Sequence, residues 1–233
     1  MIATEELRFL APDLEHDLDD KAARLSALGQ RMLEMGSIRG VTALKTEEAI
    51  KNELILDSLF GLPSLPKSGS VIDIGTGGGV PGLVLAVMRP DLKFTLTDSA
   101  QKKTRWVQEC VDELGLTNVS VRTARLELLG RESDAREQFD AVTAKALASL
   151  MVLVELAVPL LKVGGVLIAY KGPAIDDEIA EARKALKLLG ARVGKRRDSS
   201  LNGKAYCVVE IQKLEATGNR YPRRDGVPQK TPL

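Results

Sequence analysis

Ser70-Val71-Ile72-Asp73-Ile74-Gly75-Thr76-Gly77-Gly78-Gly79-Val80-Pro81-Gly82 is the stretch from which the rest of the chain can be read. An apolar run of strand character ends at Gly75, four of the five residues 75–79 are glycine, and PGLVLAVMR (81–89) follows as a helix opened by Pro81. Glycines at a strand-to-helix turn permit backbone angles that a Cβ would block, and they let a ligand approach the main chain. Moving outward, KFTLTDS (93–99), NVSVRTA (118–124), QFDAVTAKA (138–146) and VLIAYKG (166–172) read as strands. Between them lie helices over QKKTRWVQECVDELG (101–115), stopped by Gly115, and over LASLMVLVELAVPLLKVGG (147–165), closing on a double glycine. AIDDEIAEARKALKLLG (174–190) is a further amphipathic helix. Strand and helix in alternation imply an α/β fold with a parallel sheet, helices on both faces and right-handed crossovers. ARVGKRR (191–197) and AYCVVEIQKL (205–214), joined by a short loop, predict a terminal antiparallel hairpin, where a plain dinucleotide fold would add another helix and a parallel strand.

The residues before this region have a different character. Leu14, Leu18, Leu25, Leu28, Met32 and Met35 recur at helical spacing, with Asp13 as a candidate cap and Gly36 as the stop. Thr46 opens a second helix over TEEAIKNELILDSLF (46–60). GLPSLPKSGS (61–70) marks a boundary, so the chain divides into a helical N-terminal cap at 1–62, a main domain at 63–214 and a basic tail at 215–233.

Composition narrows the chemistry. The 233 residues contain a single histidine, His16, expected on a helix surface, which weakens His-ligated metal sites, Ser-His-Asp triads and histidine general bases; no metal is expected. Cys110 and Cys207 form neither a disulfide framework nor a zinc spacing, and both read as buried thiols. No apolar run reaches the length of a membrane span, and the acidic N-terminus lacks a signal region, so a cytoplasmic protein is expected. The formal net charge is +1, but residues 183–233 hold 13 Lys/Arg against 4 Asp/Glu. That asymmetry suggests an anionic partner, against the alternative of an ordinary solvated surface.

The glycine turn contains a literal G-x-G-x-x-G at Gly77, Gly79 and Gly82, which alone would indicate a nicotinamide dinucleotide. Asp73, two residues before the loop in a D-x-G-x-G-x-G arrangement, and the terminal hairpin point instead to S-adenosylmethionine-dependent methyltransferases. There the ligand's ammonium group wants a nearby acceptor. A dinucleotide and an unliganded turn remain as alternatives. Asp98 ends the second strand, where an acid can accept both ribose hydroxyls of an adenosyl ligand or can cap the helix that follows, unless Ser99 does so. Trp106, on that helix, reads as core.

DIGTGGGVPGL (73–83), TDSAQKKTRWVQ (97–108), LDSL (56–59), LLKVGG (160–165) with KGP (171–173), and YPRRDGVP (221–228) together resemble the ribosomal small-subunit methyltransferase G family, also called glucose-inhibited division protein B. The resemblance runs from about residue 40 to the end. It implies a class I, Rossmann-like methyltransferase sheet with a helical cap, and transfer of a methyl group from S-adenosylmethionine to N7 of a guanosine in a decoding-region loop of 16S rRNA. It also implies that Gly75, Val80, Leu126 and Glu127 line the cofactor, and that Lys145 takes the place of the family's basic residue after the fourth strand. The expected cofactor set is thus Asp73, Gly75, Gly77, Gly79, Val80, Asp98, Leu126, Glu127 and Lys145, with Lys145 as the catalytic candidate. The chain departs from the family pattern at Gly40-Val41, at Leu54, at Lys145 and at Lys204-Ala205.

N7 of guanine has an in-plane lone pair and no proton to remove, so a site without a histidine base suits the reaction. Partners are expected to be 16S rRNA or the small ribosomal subunit, met by a monomer. Lys171, Arg196, Arg197, Lys204, Arg223 and Arg224 are the candidates for RNA contact. The tail, NRYPRRDGVPQKTPL (219–233), has too little apolar surface to fold alone and must dock on the domain or order on RNA.

Overall fold

The computed structural model describes residues 1–14 and 16–233. Seven strands form one sheet in the order β3-β2-β1-β4-β5-β7-β6. β1 (Ser70–Ile74) and β4 (Phe139–Lys145) lie at its centre, flanked by β2 (Lys93–Asp98), β3 (Val119–Thr123) and β5 (Leu161–Lys171), all parallel. β7 (Lys204–Lys213) joins β5 antiparallel, and β6 (Ala191–Leu201) forms the outer edge. The hairpin closes through Asn202 and Gly203, both at positive φ (50° and 76°), the backbone of a two-residue turn that matches strand twist. Lys195, Arg196, Arg197 and Asp198 on the edge strand oppose further strand addition.

Helix α4 (Gly82–Met88), α5 (Gln101–Glu113), α6 (Leu126–Leu129), α7 (Leu150–Ala157) and α8 (Ile175–Leu188) cover the sheet. Strand pleating sorts the core into two layers. Val71, Ala141, Ile168 and Val208 face a cluster with α4 and α5, while Ile72, Ile74, Val142 and Leu167 face a cluster with α7 and α8. The N-terminal helices α1 (Thr4–Leu10) and α2 (Leu18–Arg39) join the first cluster: Leu7, Leu25, Leu28 and Met32 are buried with Leu83, Trp106 and Val107. The cap therefore shares its apolar core with the sheet. Trp106 is wholly buried, donates Nε1–H to the Gly78 carbonyl at 3.1 Å and lies under the Arg31 guanidinium at 4.7 Å, which ties cap, α5 and glycine turn together.

Four local expectations change. α2 begins at Leu18 rather than after Asp13, and it runs past Gly36 to a left-handed C-cap at Gly40. Gly36 is instead where the chain packs closely, since a Cβ there would fall 2.6 Å from Thr42. The double glycine lies inside β5, beside a register shift against β4, because the α7 helix gives way to a short 3₁₀ turn containing Pro159. His16 sits exposed in the turn ahead of α2, not on a helix surface. The segment opened by Thr46, whose Oγ1 accepts from Ala49 N at 3.2 Å, starts as α3 (Glu47–Ile50). It continues as a π-helical turn over Lys51–Leu56 and a 3₁₀ stretch over Asp57–Ser64. Among the described residues no helix is long and apolar enough to cross a membrane.

The tail docks on the domain. Tyr221 is buried in the α7–α8 cluster. Arg136 donates to the carbonyls of Thr217 (2.5 Å) and Tyr221 (2.8 Å), and Arg131 to that of Pro222 (2.5 Å). A short helix, α9 (Val227–Lys230), then lies against α7.

Candidate active site

Two clefts open side by side at the carboxyl edge of the parallel strands, where open α/β sheets place their ligands. The first, about 350 Å³, is lined by Gly75, Asp98, Leu126, Glu127 and Leu147, with Gly226 and Gln229 of the tail. The second, about 340 Å³, is lined by Asp57, Phe60, Lys145, Tyr170, Lys171, Glu178 and Tyr206. Ala146 and Leu147 belong to both. Ala146 holds φ = 53°, a conformation that side-chain-bearing residues adopt at a cost of about 1–2 kcal/mol and that recurs at functional sites.

Gly75 (φ = 62°) turns the chain out of β1, and a Cβ there would fall 2.5 Å from Leu147 Cδ1, closing the first cleft at its neck. Asp98 is fixed at the end of β2: Oδ2 accepts Gly77 N–H at 3.0 Å and Oδ1 accepts Ala100 N–H at 2.9 Å. It thereby serves the start of α5 as well, whose N-cap residue, Ala100, has no side chain able to cap, and among the described residues Ser99 makes no such bond. Each carboxylate oxygen keeps a lone pair for a ligand hydroxyl. Glu127 is 6% exposed and accepts Gly226 N–H at 3.0 Å through Oε1, so the tail orients this carboxylate. The resemblance placed Glu127 at the cofactor, but the bond from the tail that orients it could not be read from the sequence. Apolar walls at Leu126 and Leu147 with two oriented carboxylates suit an adenosyl ligand, and the size is that of an ordinary small-molecule site.

Asp73 is placed differently from the expectation of a cofactor contact. On β1 it alternates with Ile72 and Ile74, so it points beneath the glycine turn and is wholly buried. Oδ2 accepts from Thr76 Oγ1 (2.5 Å) and Gly82 N (3.2 Å), and Oδ1 from Thr143 Oγ1 (2.7 Å). Burial pushes its carboxyl up to about 6, against these hydrogen bonds. Asp73 braces the turn and does not line the cleft. Gly79 and Val80 also lie outside the lining: a Cβ on Gly79 would meet Leu83 and Val107 in the interior. Gly77 reaches the cleft only through its bond to Asp98.

Lys145 lies in the second cleft. Its Nζ donates to Asp57 Oδ1 at 2.6 Å and to the Glu53 carbonyl at 2.7 Å, a carbonyl in the π-helical turn. Burial pushes the Asp57 carboxyl up and the Lys145 ammonium down, and each opposes the shift of the other by its charge. The sequence singled out Lys145 and LDSL without joining them. Asp57, Phe60 and Tyr206 were missed as site residues, although an acid within ELILDSLFGL (53–62) was a visible signal.

The basic candidates are mostly engaged. Arg223 donates Nη2 and Nε to Glu155 at 2.6 and 2.8 Å, and its backbone N–H to the same carboxylate at 2.8 Å. Arg197 bonds Glu210 and Ser64, both at 2.6 Å. Arg196 pairs with Asp176 and Asp198, Lys204 with Glu53, and Lys171 with Glu178. Arg196, Arg197 and Arg223 are thus already paired, by acids from distant parts of the chain or by Asp198 nearby. Of the tail pair only Arg224 is exposed and without a partner among the described residues.

The sheet order with its antiparallel β7, the glycine turn after β1 and the carboxylate at the end of β2 define a class I methyltransferase, whose methyl donor is S-adenosylmethionine. Solved structures share the fold at low identity: a ribosomal protein L11 methylase from Lactobacillus delbrueckii (TM-score 0.54, 16% identity, covering 69% of this chain and 78% of that one) and an S-adenosylmethionine-dependent O-methyltransferase from Thermotoga maritima (0.51, 17%, 70% and 66%). The family of rRNA small subunit methyltransferase G matches residues 21–202, and the chain belongs to that family. It is 42% identical to the ribosomal RNA small subunit methyltransferase G of Deinococcus radiodurans, over 98% of this chain and 92% of that one. It is 37% identical to the enzyme of the same name from Alkaliphilus metalliredigens, over 94% and 93%.

Proposed function

We propose that this chain, acting as a monomer in the cytoplasm, methylates N7 of a guanosine in a decoding-region loop of 16S rRNA, either free or within the small ribosomal subunit. The observation that carries this reading is the pair of clefts meeting at Ala146–Leu147: one suits an adenosyl donor, and the other is roomy enough for a flat acceptor. S-adenosylmethionine supplies an electrophilic methyl group on a sulfonium. Asp98 would hold the ribose of the donor through its free lone pairs, and Glu127 would meet the adenine edge. Gly75 keeps the neck open, and Leu126 and Leu147 would supply the apolar walls against which the donor is held. Gly77, by its N–H, keeps the Asp98 carboxylate aimed, while Gly79 and Val80 shape the turn. Arg224 is the tail residue left to meet a phosphate.

No residue has to take a proton. His16 is exposed in the turn ahead of α2 and lines neither cleft, and Asp57 is held in an ion pair. The work of the site is alignment of nucleophile, methyl and sulfur. The single-turnover rate is therefore expected to be nearly flat between about pH 6.5 and 8.5. Rapid-quench measurements on small subunits lacking the modification check this, and a rate rising tenfold per pH unit would mean proton removal and methylation of another atom.

A further inference from the structure

We propose that the second cleft is the socket for the acceptor base and that Asp57 reads it as guanine, an assignment that rests on the acceptor being a guanosine. Asp57 has only 5% of its side chain exposed, yet half of its carboxylate is uncommitted: Oδ1 takes Lys145 Nζ at 2.6 Å, and Oδ2 takes no hydrogen bond among the described residues. A carboxylate oxygen without a donor inside a cleft is an acceptor waiting for one. The Watson–Crick edge of guanine presents N1–H and the 2-amino group, both donors. Adenine presents the bare N1 lone pair there, which a carboxylate repels.

Lys145 completes the pattern. An ammonium has three N–H donors; two are taken by Asp57 and the Glu53 carbonyl, and the third is left for a carbonyl such as guanine O6. Adenine carries an amino group at that position, so both groups discriminate in the same direction. Phe60 and Tyr206, with ring centroids 5.6 Å apart and planes tilted by 50°, supply aromatic faces on which a base can lie. Lys204 Nζ stands 5.6 Å from the Tyr206 ring and pairs with Glu53, which fixes this wall.

The socket also serves the transfer. The N7–C bond forms as the C–S bond breaks, the bonding pair returns to sulfur, and positive charge appears on the purine with no proton moved. A carboxylate preset at the Watson–Crick edge favours that charge over the neutral base.

Binding of GMP and AMP to the whole protein in the presence of S-adenosylhomocysteine, followed by ligand-observed NMR, tests the assignment. GMP is expected to bind at least about tenfold more tightly than AMP, since one charge-assisted hydrogen bond has that weight or more. Asp57→Asn should lower the GMP-to-AMP ratio about tenfold, leaving only the share that Lys145 supplies, while S-adenosylhomocysteine affinity stays unchanged. Tyr206→Ala, which leaves the Asp57–Lys145 pair in place, should weaken both nucleotides and keep their ratio. Equal binding of GMP and AMP to the unaltered protein, binding of neither, or an Asp57→Asn protein that keeps the full preference would each overturn the assignment. So would an unchanged ratio and unchanged affinities in Tyr206→Ala. Nucleoside analysis of treated 16S rRNA separates the two readings: 7-methylguanosine formed without a GMP preference removes the socket and leaves the proposed function standing.

Discussion

Arg223→Ala is expected to lower the midpoint of thermal unfolding by roughly 6–12 °C. Glu155 is 1% exposed on α7, and its charge is met there by Arg223, whose own side chain is 26% exposed. Removing the arginine side chain leaves a buried carboxylate with only the residue's backbone N–H for a partner among the described residues. Losing one member of a buried pair typically costs about 3–5 kcal/mol, and the lower end applies here because the arginine is partly wetted. In a domain of this size each kcal/mol moves the midpoint by about 2–4 °C. Arg224→Ala, with an exposed side chain, should leave the midpoint alone. Differential scanning calorimetry on both variants decides the tail's role. If Arg223→Ala unfolds at the original temperature but binds rRNA with a shallower salt dependence, the arginine is a phosphate contact and not an anchor.

The second large effect concerns the donor cleft. Asp98→Ala is expected to weaken S-adenosylmethionine binding by about 3 kcal/mol, roughly 150-fold in Kd. The carboxylate offers a lone pair on each oxygen to the ribose, and hydrogen bonds to a charged group are worth about 1.5–3 kcal/mol apiece. The bonds to Gly77 and Ala100 N–H would be lost too, loosening the junction of turn and helix. Asp98→Asn keeps one acceptor and should lose about tenfold. Titration calorimetry gives both values, and an unchanged Kd in a folded Asp98→Ala protein would remove the residue from the donor site.

The parallel sheet and its glycine turn were legible because strand period, helix period and turn residues are local signals. The terminal hairpin was legible for the same reason. Asp73 has the expected spacing but not the expected direction, since the strand pleat turns its side chain under the loop, toward Gly82 and Thr143, and out of the cleft lining. That the tail must dock or order on RNA was legible, but which acid its arginine meets was not, since Arg223 finds Glu155, 68 residues earlier in the chain. Likewise Lys204 meets Glu53, 151 residues away, a pairing that no local reading of the charges could show. The acceptor cleft combines the 53–60 segment with β4, β5 and β7, elements whose adjacency exists only once the sheet is assembled. Of that cleft, the sequence offered only Lys145, Lys171 and the LDSL run.

Nucleoside mass mapping of 16S rRNA tests the central claim most directly. Small subunits lacking the modification are incubated with the protein and methyl-labelled S-adenosylmethionine, and the labelled fragment is digested and sequenced. The account predicts label in one 7-methylguanosine within a decoding-region loop. Label on another base, on another guanine atom such as N1 or N2, or no label from a protein that binds S-adenosylmethionine would contradict it.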